Sequence, residues 1–262
     1  MTEHLIVAAV ALVAGALTLF SGFGLGTLLM PAMALFYDLD TAIAATAVVH
    51  LVNNILKLLL VGKWAAWRTV IVFGVPAAAC AFFGARALHA LGSLGTLHEY
   101  SAFGRDATVT VEKLVIAGLI VVFAFLEGKP GTGLSVSMRW LPIGGALSGF
   151  FGGLSGHQGA LRTVFLSKAG LKKKELIGTF AACAVLVDAS RLVGYGVSFF
   201  GDTLDTLREE GRLSPVYVAL VAAFVGSYVG SKLVKKVTLE MVQGVITAML
   251  LLTAGLLGSG LI

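Results

Sequence analysis

The sequence predicts an all-α integral membrane protein made of two inverted repeats, each a glycine-broken helical hairpin followed by three transmembrane helices. Three observations carry this expectation. Of the 262 residues, 58% are hydrophobic and 13% charged, with a mean hydropathy of +0.95, where soluble domains carry about 45–50% apolar and about 25% charged residues. So few charges cannot coat a water-soluble globule of this size. The apolar residues also gather into membrane-length runs, and two glycine-rich interruptions divide the chain into similar halves.

A span needs about 20 predominantly apolar residues. Repeat one, residues 1–127, holds a broken pair over 5–37, interrupted at SGFGLG (Ser21 to Gly26), and full runs over 41–62, 69–92 and 113–127. The last is short, so its helix is expected to begin within the preceding polar connector. Repeat two, residues 128–262, holds a broken pair over 139–168, interrupted at GFFGGLSGHQG (Gly149 to Gly159), and runs over 175–200, 214–231 and 240–262. Each glycine lowers helix stability by about 1 kcal/mol relative to alanine, and lipid offers no water to the freed backbone groups. Such breaks must be buried in protein or line a wet cavity.

Internal similarity pairs the two breaks. SGF recurs at Ser21 to Phe23 and Ser148 to Phe150, and AATAVVHLVNNILK (Ala44 to Lys57) aligns, with a one-residue slip, to IGTFAACAVLVDASR (Ile177 to Arg191). Asn54 then stands opposite Asp188, and Lys57 opposite Arg191. If each hairpin returns to its starting face, three further spans leave the second half inverted. Loop charges agree. One side carries eleven positive residues (Lys63, Arg68, Lys129, Arg139, Lys168, Lys172, Lys173, Lys174, Lys232, Lys235 and Lys236), and the other five (Arg86, Arg105, Lys113, Arg208 and Arg212). The positive-inside rule puts the lysine-rich loops in the cytoplasm and both termini outside. The first apolar stretch lacks a positive leader and is expected to stay in the mature protein.

Inside the apolar segments stand Lys57, Arg162, Arg191 and Asp188, which sum to +2. Intramembrane charges usually face a pathway or a partner, so surplus positive charge suggests an anion site. The densest polar cluster is SGHQGALR, with Ser155, His157, Gln158 and Arg162 directly after a glycine break. A half-helix starting near Ser155 turns its N–H groups and positive dipole end toward a ligand, with Ser155 as its cap. The alternative is that these side chains only stitch the hairpin to a neighbouring span. Asp188 and Arg191, three residues apart, share a helical face and can pair. Asn53, Asn54 and Lys57 form the matching face, with His50 one turn earlier, although Lys57 can equally snorkel toward Lys63. In the first hairpin, Gly22, Gly24 and Gly26 permit close backbone approach, and Pro31 favours a helix break. Gly22 with Gly26, and Gly226 with Gly230, also match a small-xxx-small helix contact.

Other chemistries find little support. Cys80 and Cys183 lie in apolar stretches and suggest neither a disulfide framework nor a thiolate metal site. The five histidines show no metal-ligand spacing. GFGLG lacks the dinucleotide fingerprint and a preceding strand, and GLSGH is not a nucleophile elbow. No basic run with interleaved aromatics points to nucleic acid.

The two glycine segments, SGFGLGTLLMP and GFFGGLSGHQGALRTVFLSKAGL, each followed by an Ala-Thr or Gly-Thr helix (Ala45 and Thr46; Gly178 and Thr179), resemble the TauE/SafE sulfite exporter family, also called the toluene-sulfonate uptake permeases. The resemblance runs from about residue 5 to 260, with the family's glycine-rich segments falling on Ser21 to Pro31 and Gly152 to Arg162. This chain reads GFGLGT where the family often has a fuller glycine run. The resemblance implies a multi-pass carrier of the bacterial inner membrane that exports small sulfur-containing anions such as sulfite or organosulfonates. No catalytic residue, metal or cofactor is expected, and the partners are the anion and membrane lipid, with a homodimer left open. The expected substrate-binding residues are Ser155, Gly156, His157, Gln158, Arg162 and Arg191 from the second half, with Lys57, Asn54, Ser21 and Gly24 from the first. Asp188 and His157 are the candidates for proton coupling. The alternatives are an anion channel, a carrier of another small organic anion and, less favoured, an intramembrane enzyme.

Overall fold

The computed structural model describes residues 2–21, 25–37, 39–102, 104–127, 137–196, 208, 213–233 and 239–262. Helices dominate. The first half of the chain begins with α1 (Thr2–Ser21) and α2 (Leu25–Ala34), followed by α3 (Leu39–Val61). After a 3-10 turn at Gly62–Trp64, α4 (Trp67–Thr69) runs through a π turn at Val70–Gly74 into α5 (Val75–Gly92), one continuous rod over Trp67–Gly92. Beyond it come β1 (Thr96–Ala102), β2 (Arg105–Thr110) and α6 (Val111–Glu127). The second half holds α7 (Leu141–Ser155), α8 (Gln158–Leu166), α9 (Lys173–Tyr195), α10 (Ser214–Leu233) and α11 (Leu239–Gly258).

Thr41–Trp64, Trp67–Gly92 and Lys173–Tyr195 are long and apolar enough to cross a membrane, and shorter apolar stretches run over Thr2–Thr18, Ser214–Gly230 and Thr247–Gly258. Leu59, Phe83 and Val193 turn outward, 78%, 64% and 70% exposed. Large apolar side chains displayed on this scale suit a lipid environment, since soluble monomers seldom expose wide apolar patches.

Expectation and structure differ at three places. The connector after α5 is not featureless, so the protein is mostly rather than wholly helical: β1 and β2 pair antiparallel, Tyr100 opposite Ala107 and Ser101 opposite Asp106, with Gly104 at φ +72° in the turn. This hairpin is tied to the end of the chain, because Thr108 N donates to the Gly260 carbonyl at 3.0 Å and Tyr100 Oη to the Ser259 carbonyl at 2.7 Å. Its polar strands lack an apolar period and are stabilised by these distant contacts. The helix after it begins at Val111, two residues before the apolar run. Pro31 does not break α2, which ends three residues later at Ala34. The second break is also narrower than its glycines suggest, with α7 continuing to Ser155 and giving way only at Gly156 and His157.

The glycines inside α7 serve contact rather than breakage. A Cβ at Gly145, Gly149 or Gly153 would collide with the backbone carbonyls of Phe73, Ala77 and Ala81 on the facing rod. Spaced four apart, they form one smooth stripe that lets α5 approach backbone to backbone. The same close approach joins α1 to α10, where Gly226 meets the Leu12 carbonyl. The α3 and α9 helices pack at the centre, and α6 packs on α11.

Candidate functional site

The site forms where α3, α8 and α9 meet the hairpin corner between α7 and α8. Asp188, 0% exposed, is its hub. Its Oδ2 accepts from His50 Nδ1 at 2.7 Å and Asn54 Nδ2 at 2.8 Å, both on α3. Its Oδ1 accepts from Gln158 Nε2 at 2.8 Å on α8 and pairs with Arg191 Nη2 at 3.1 Å one turn along α9. Three hydrogen-bond donors and one ion pair thus surround the carboxylate and repay much of its desolvation. Asn54 Nδ2 also lies 3.0 Å from His50 Nδ1. The network extends outward: Arg162 Nη1 donates to Gln158 Oε1 at 3.3 Å, and Arg191 Nη1 to the Gly152 carbonyl at 3.4 Å.

Next to this network lies a cavity of about 20 Å³, lined by Thr18, Asn54, Lys57, Arg162, Ile177, Phe180 and Ala181. That is room for one water. Lys57 reaches it from α3 and Arg162 from α8, at 6% and 3% exposure. The Arg162 guanidinium lies over the Phe180 ring at 5.5 Å. Lys57 Nζ is buried with no hydrogen-bond partner among the described residues. Lys57 therefore does not snorkel to the surface; it is held inside, where its charge acts on the cavity.

The local chain explains the corner. Gly156 closes α7 at φ +79°, the left-handed conformation that lets a helix end abruptly. Ser155 is not the cap of α8: its Oγ donates back to the Phe151 carbonyl at 3.0 Å, as expected of a serine in the last turn of a continuing helix. His157 holds the N-cap position with no side-chain capping bond. Its Nδ1 donates to the Ser155 carbonyl at 2.7 Å, and its ring stacks on Phe123 at 6.0 Å. Ser148 Oγ fastens the corner by donating to the Gln158 carbonyl at 2.8 Å.

Of the residues expected at the site, Gln158, Arg162, Arg191, Asn54, Lys57 and Asp188 come together, and three of them line the cavity. Ser155 and His157 stand to one side, and Gly156 forms the corner itself. Gly24 and the Ser21 side chain lie outside the described residues, as does Gly22. The start of α2 nevertheless meets the second hairpin, since a Cβ at Gly26 would lie 3.3 Å from the Gly156 carbonyl. His50 is the main addition, together with Thr18 and Phe180. The signal for His50 was its place four residues before Asn54, which puts both on one helical face.

Apolar spans around a buried cationic cluster define a multi-pass membrane protein with an interior suited to anions. The chain belongs to the TauE/SafE sulfite exporter family, whose model matches residues 7–257. Membership makes it a membrane transporter rather than an enzyme, of a family associated with sulfite- and sulfonate-type anions. Neither the curated proteins nor the solved structures include a significant match to this chain.

Proposed function

We propose that this protein is a secondary carrier that exports a small sulfur-containing anion such as sulfite or an organosulfonate, bound at the cavity between Lys57 and Arg162. The observation that carries this reading is the placement of those two buried cations on one cavity, beside a carboxylate already surrounded by donors. Asn54 and Gln158 supply directional hydrogen bonds, Arg191 adds positive potential through Asp188, and the apolar walls strengthen every electrostatic contact.

Alternating access follows from two inverted repeats rocking about this site. Reciprocal packing supports the repeats: α1 of the first hairpin packs on α10 of the second half, and α7 of the second hairpin packs on α5 of the first. Equivalent helices α3 and α9 pair at the centre, as do α6 and α11. The cavity has room for one water only, so an anion of several heavy atoms enters when the halves move apart. The loop charges favour both termini outside the cytoplasm, and the family likeness suggests a bacterial inner-membrane setting. Protons couple through Asp188: an arriving anion draws on Arg191, which favours protonation of the carboxylate that His50, Asn54, Gln158 and Arg191 now hold.

Tracer flux in proteoliposomes tests the carrier. Saturable, counter-anion-stimulated sulfite exchange is expected, lost in Arg162→Gln. Electrical conductance without saturable exchange would refute it in favour of a channel.

A further inference from the structure

The three membrane-length helical stretches have one end in common. Thr41–Trp64 finishes there, while the rod Trp67–Gly92 and α9 (Lys173–Tyr195) begin there. Packing brings these ends together. A Cβ at Gly178, early in α9, would meet the Val61 carbonyl and Ala65 N, and Thr179 Oγ1 accepts from Ala66 N at 3.0 Å. Along the rod, Gly74 meets Cys183 and Gly194 meets Phe82, so α9 runs parallel to it. Gly145, Gly149 and Gly153 meet Phe73, Ala77 and Ala81 in the same ascending order, so α7 is parallel too. Arg139 and Trp140 therefore enter α7 beside Trp67 and Arg68. The result is a basic and aromatic face, where Lys63, Arg68, Arg139 and Lys172 to Lys174 stand exposed. Trp64, Trp67 and Trp140, the three tryptophans of the chain, are exposed among them.

At the centre of this face, two ammonium groups converge on one indole. Lys63 Nζ, from the 3-10 turn, stands 4.8 Å from the Trp64 ring centroid, and Lys174 Nζ, from α9, stands 5.4 Å from it. The ring attracts each cation, but the two cations repel each other. Glu175 does not relieve them, since its carboxylate accepts from the Lys172 N–H at 2.9 Å, and the ion pairs among the described residues are confined to Asp188. The ends of spans lie in the headgroup layer, where tryptophan is enriched and lysines attract anionic lipid. We infer that this face is a binding site for an anionic phospholipid, with its phosphodiester held by Lys63 and Lys174 beside the Trp64 indole. Lysine suits a phosphate as a point charge on a flexible stem. A zwitterionic lipid carries its own ammonium and so offers these lysines no net charge. Either orientation of the chain across the bilayer leaves this face in a headgroup layer, and the site is independent of what the cavity holds.

The test is quenching of tryptophan fluorescence by brominated lipid. The full chain is reconstituted into mixed bilayers of phosphatidylglycerol and phosphatidylcholine, with bromine on the acyl chains of one or the other, and each tryptophan is read alone in a variant with the other two replaced by phenylalanine. At Trp64, phosphatidylglycerol is expected to bind at least about threefold more tightly than phosphatidylcholine. Lys63→Gln combined with Lys174→Gln should bring that ratio to about one, and Lys63→Arg combined with Lys174→Arg should keep it. Arg86→Gln, exposed toward the far end of the rod, should leave it unchanged. No preference at Trp64, or an equal loss in Arg86→Gln and the paired glutamine variant, overturns the assignment. So does an equal preference at Trp64 and Trp140, which would mean a diffuse field over the whole face. Loss of the preference on adding soluble sodium phosphate at constant ionic strength overturns it in favour of a site for free anions. If the paired glutamine variant fails to fold, the comparison of Trp64 with Trp140 decides alone.

Discussion

Asp188 shows how much a single buried carboxylate can organise. It receives His50 and Asn54 from α3, Gln158 from α8 and Arg191 from its own helix. Removing one partner of a buried ion pair costs about 3–5 kcal/mol, because the other charge is left uncompensated. Asp188→Asn keeps the shape and deletes the charge, so a loss of that order is expected in thermal or denaturant unfolding. The same variant bears on coupling. Transport by Asp188→Asn should no longer follow a proton gradient, while downhill exchange stays measurable; flux that still tracks the gradient would free Asp188 of that role. Arg162→Gln acts differently, since under the proposed carrier reading it removes a charge-assisted contact to the anion. Anion affinity should fall by about 1.5–3 kcal/mol in folded protein, read by titration. Unchanged affinity would remove Arg162 from the site.

At the scale of elements, the α5 and α7 contact depends on three glycines facing backbone carbonyls. Gly149→Val places branched carbons where the Ala77 carbonyl sits, so the two helices must separate. Overpacking of this kind typically costs about 1–3 kcal/mol, and the unfolding temperature should drop. Gly118, on α6, offers the contrast, because a Cβ there meets nothing within 4 Å. Gly118→Ala should leave stability unchanged or raise it by up to about 1 kcal/mol through helix propensity. Equal destabilisation by both substitutions would show that the α7 glycines are not a packing seam. The hairpin corner follows related logic: Gly156 at φ +79° both ends α7 and brings its carbonyl toward Gly26.

For the whole molecule, the remaining question is orientation in the bilayer. Lys173, at the start of α9, belongs to the lysine-rich side, whereas Glu99 stands exposed on the β hairpin at the opposite side of the reading. In a background lacking Cys80 and Cys183, a cysteine replacing Glu99 should react with an impermeant thiol reagent in intact cells, and one replacing Lys173 should not. The reverse pattern would invert the topology. If the two repeats rock about the central α3 and α9 pair, the cavity between Lys57 and Arg162 is where access to the two sides exchanges.

Spans, breaks and buried charges could be read from the sequence because each is a local quantity: twenty apolar residues in a row, glycines in a cluster, a charge within an apolar run. The pairing of Asp188 with Arg191 was legible too, since residues three apart share a helical face, whereas the contact of Asn54 with Asp188 joins two helices and was not. Ser155 shows where local reading ends, for whether it starts a half-helix or finishes one depends on which glycine of the break turns left-handed, and between Gly149 and Gly159 that is Gly156. His50, Lys57 and His157 make the same point. Whether each side chain reaches Asp188, the cavity or Phe123 depends on helix rotation and axial offset. Those are set by how closely neighbouring backbones approach, a property of the packed bundle that no single segment contains.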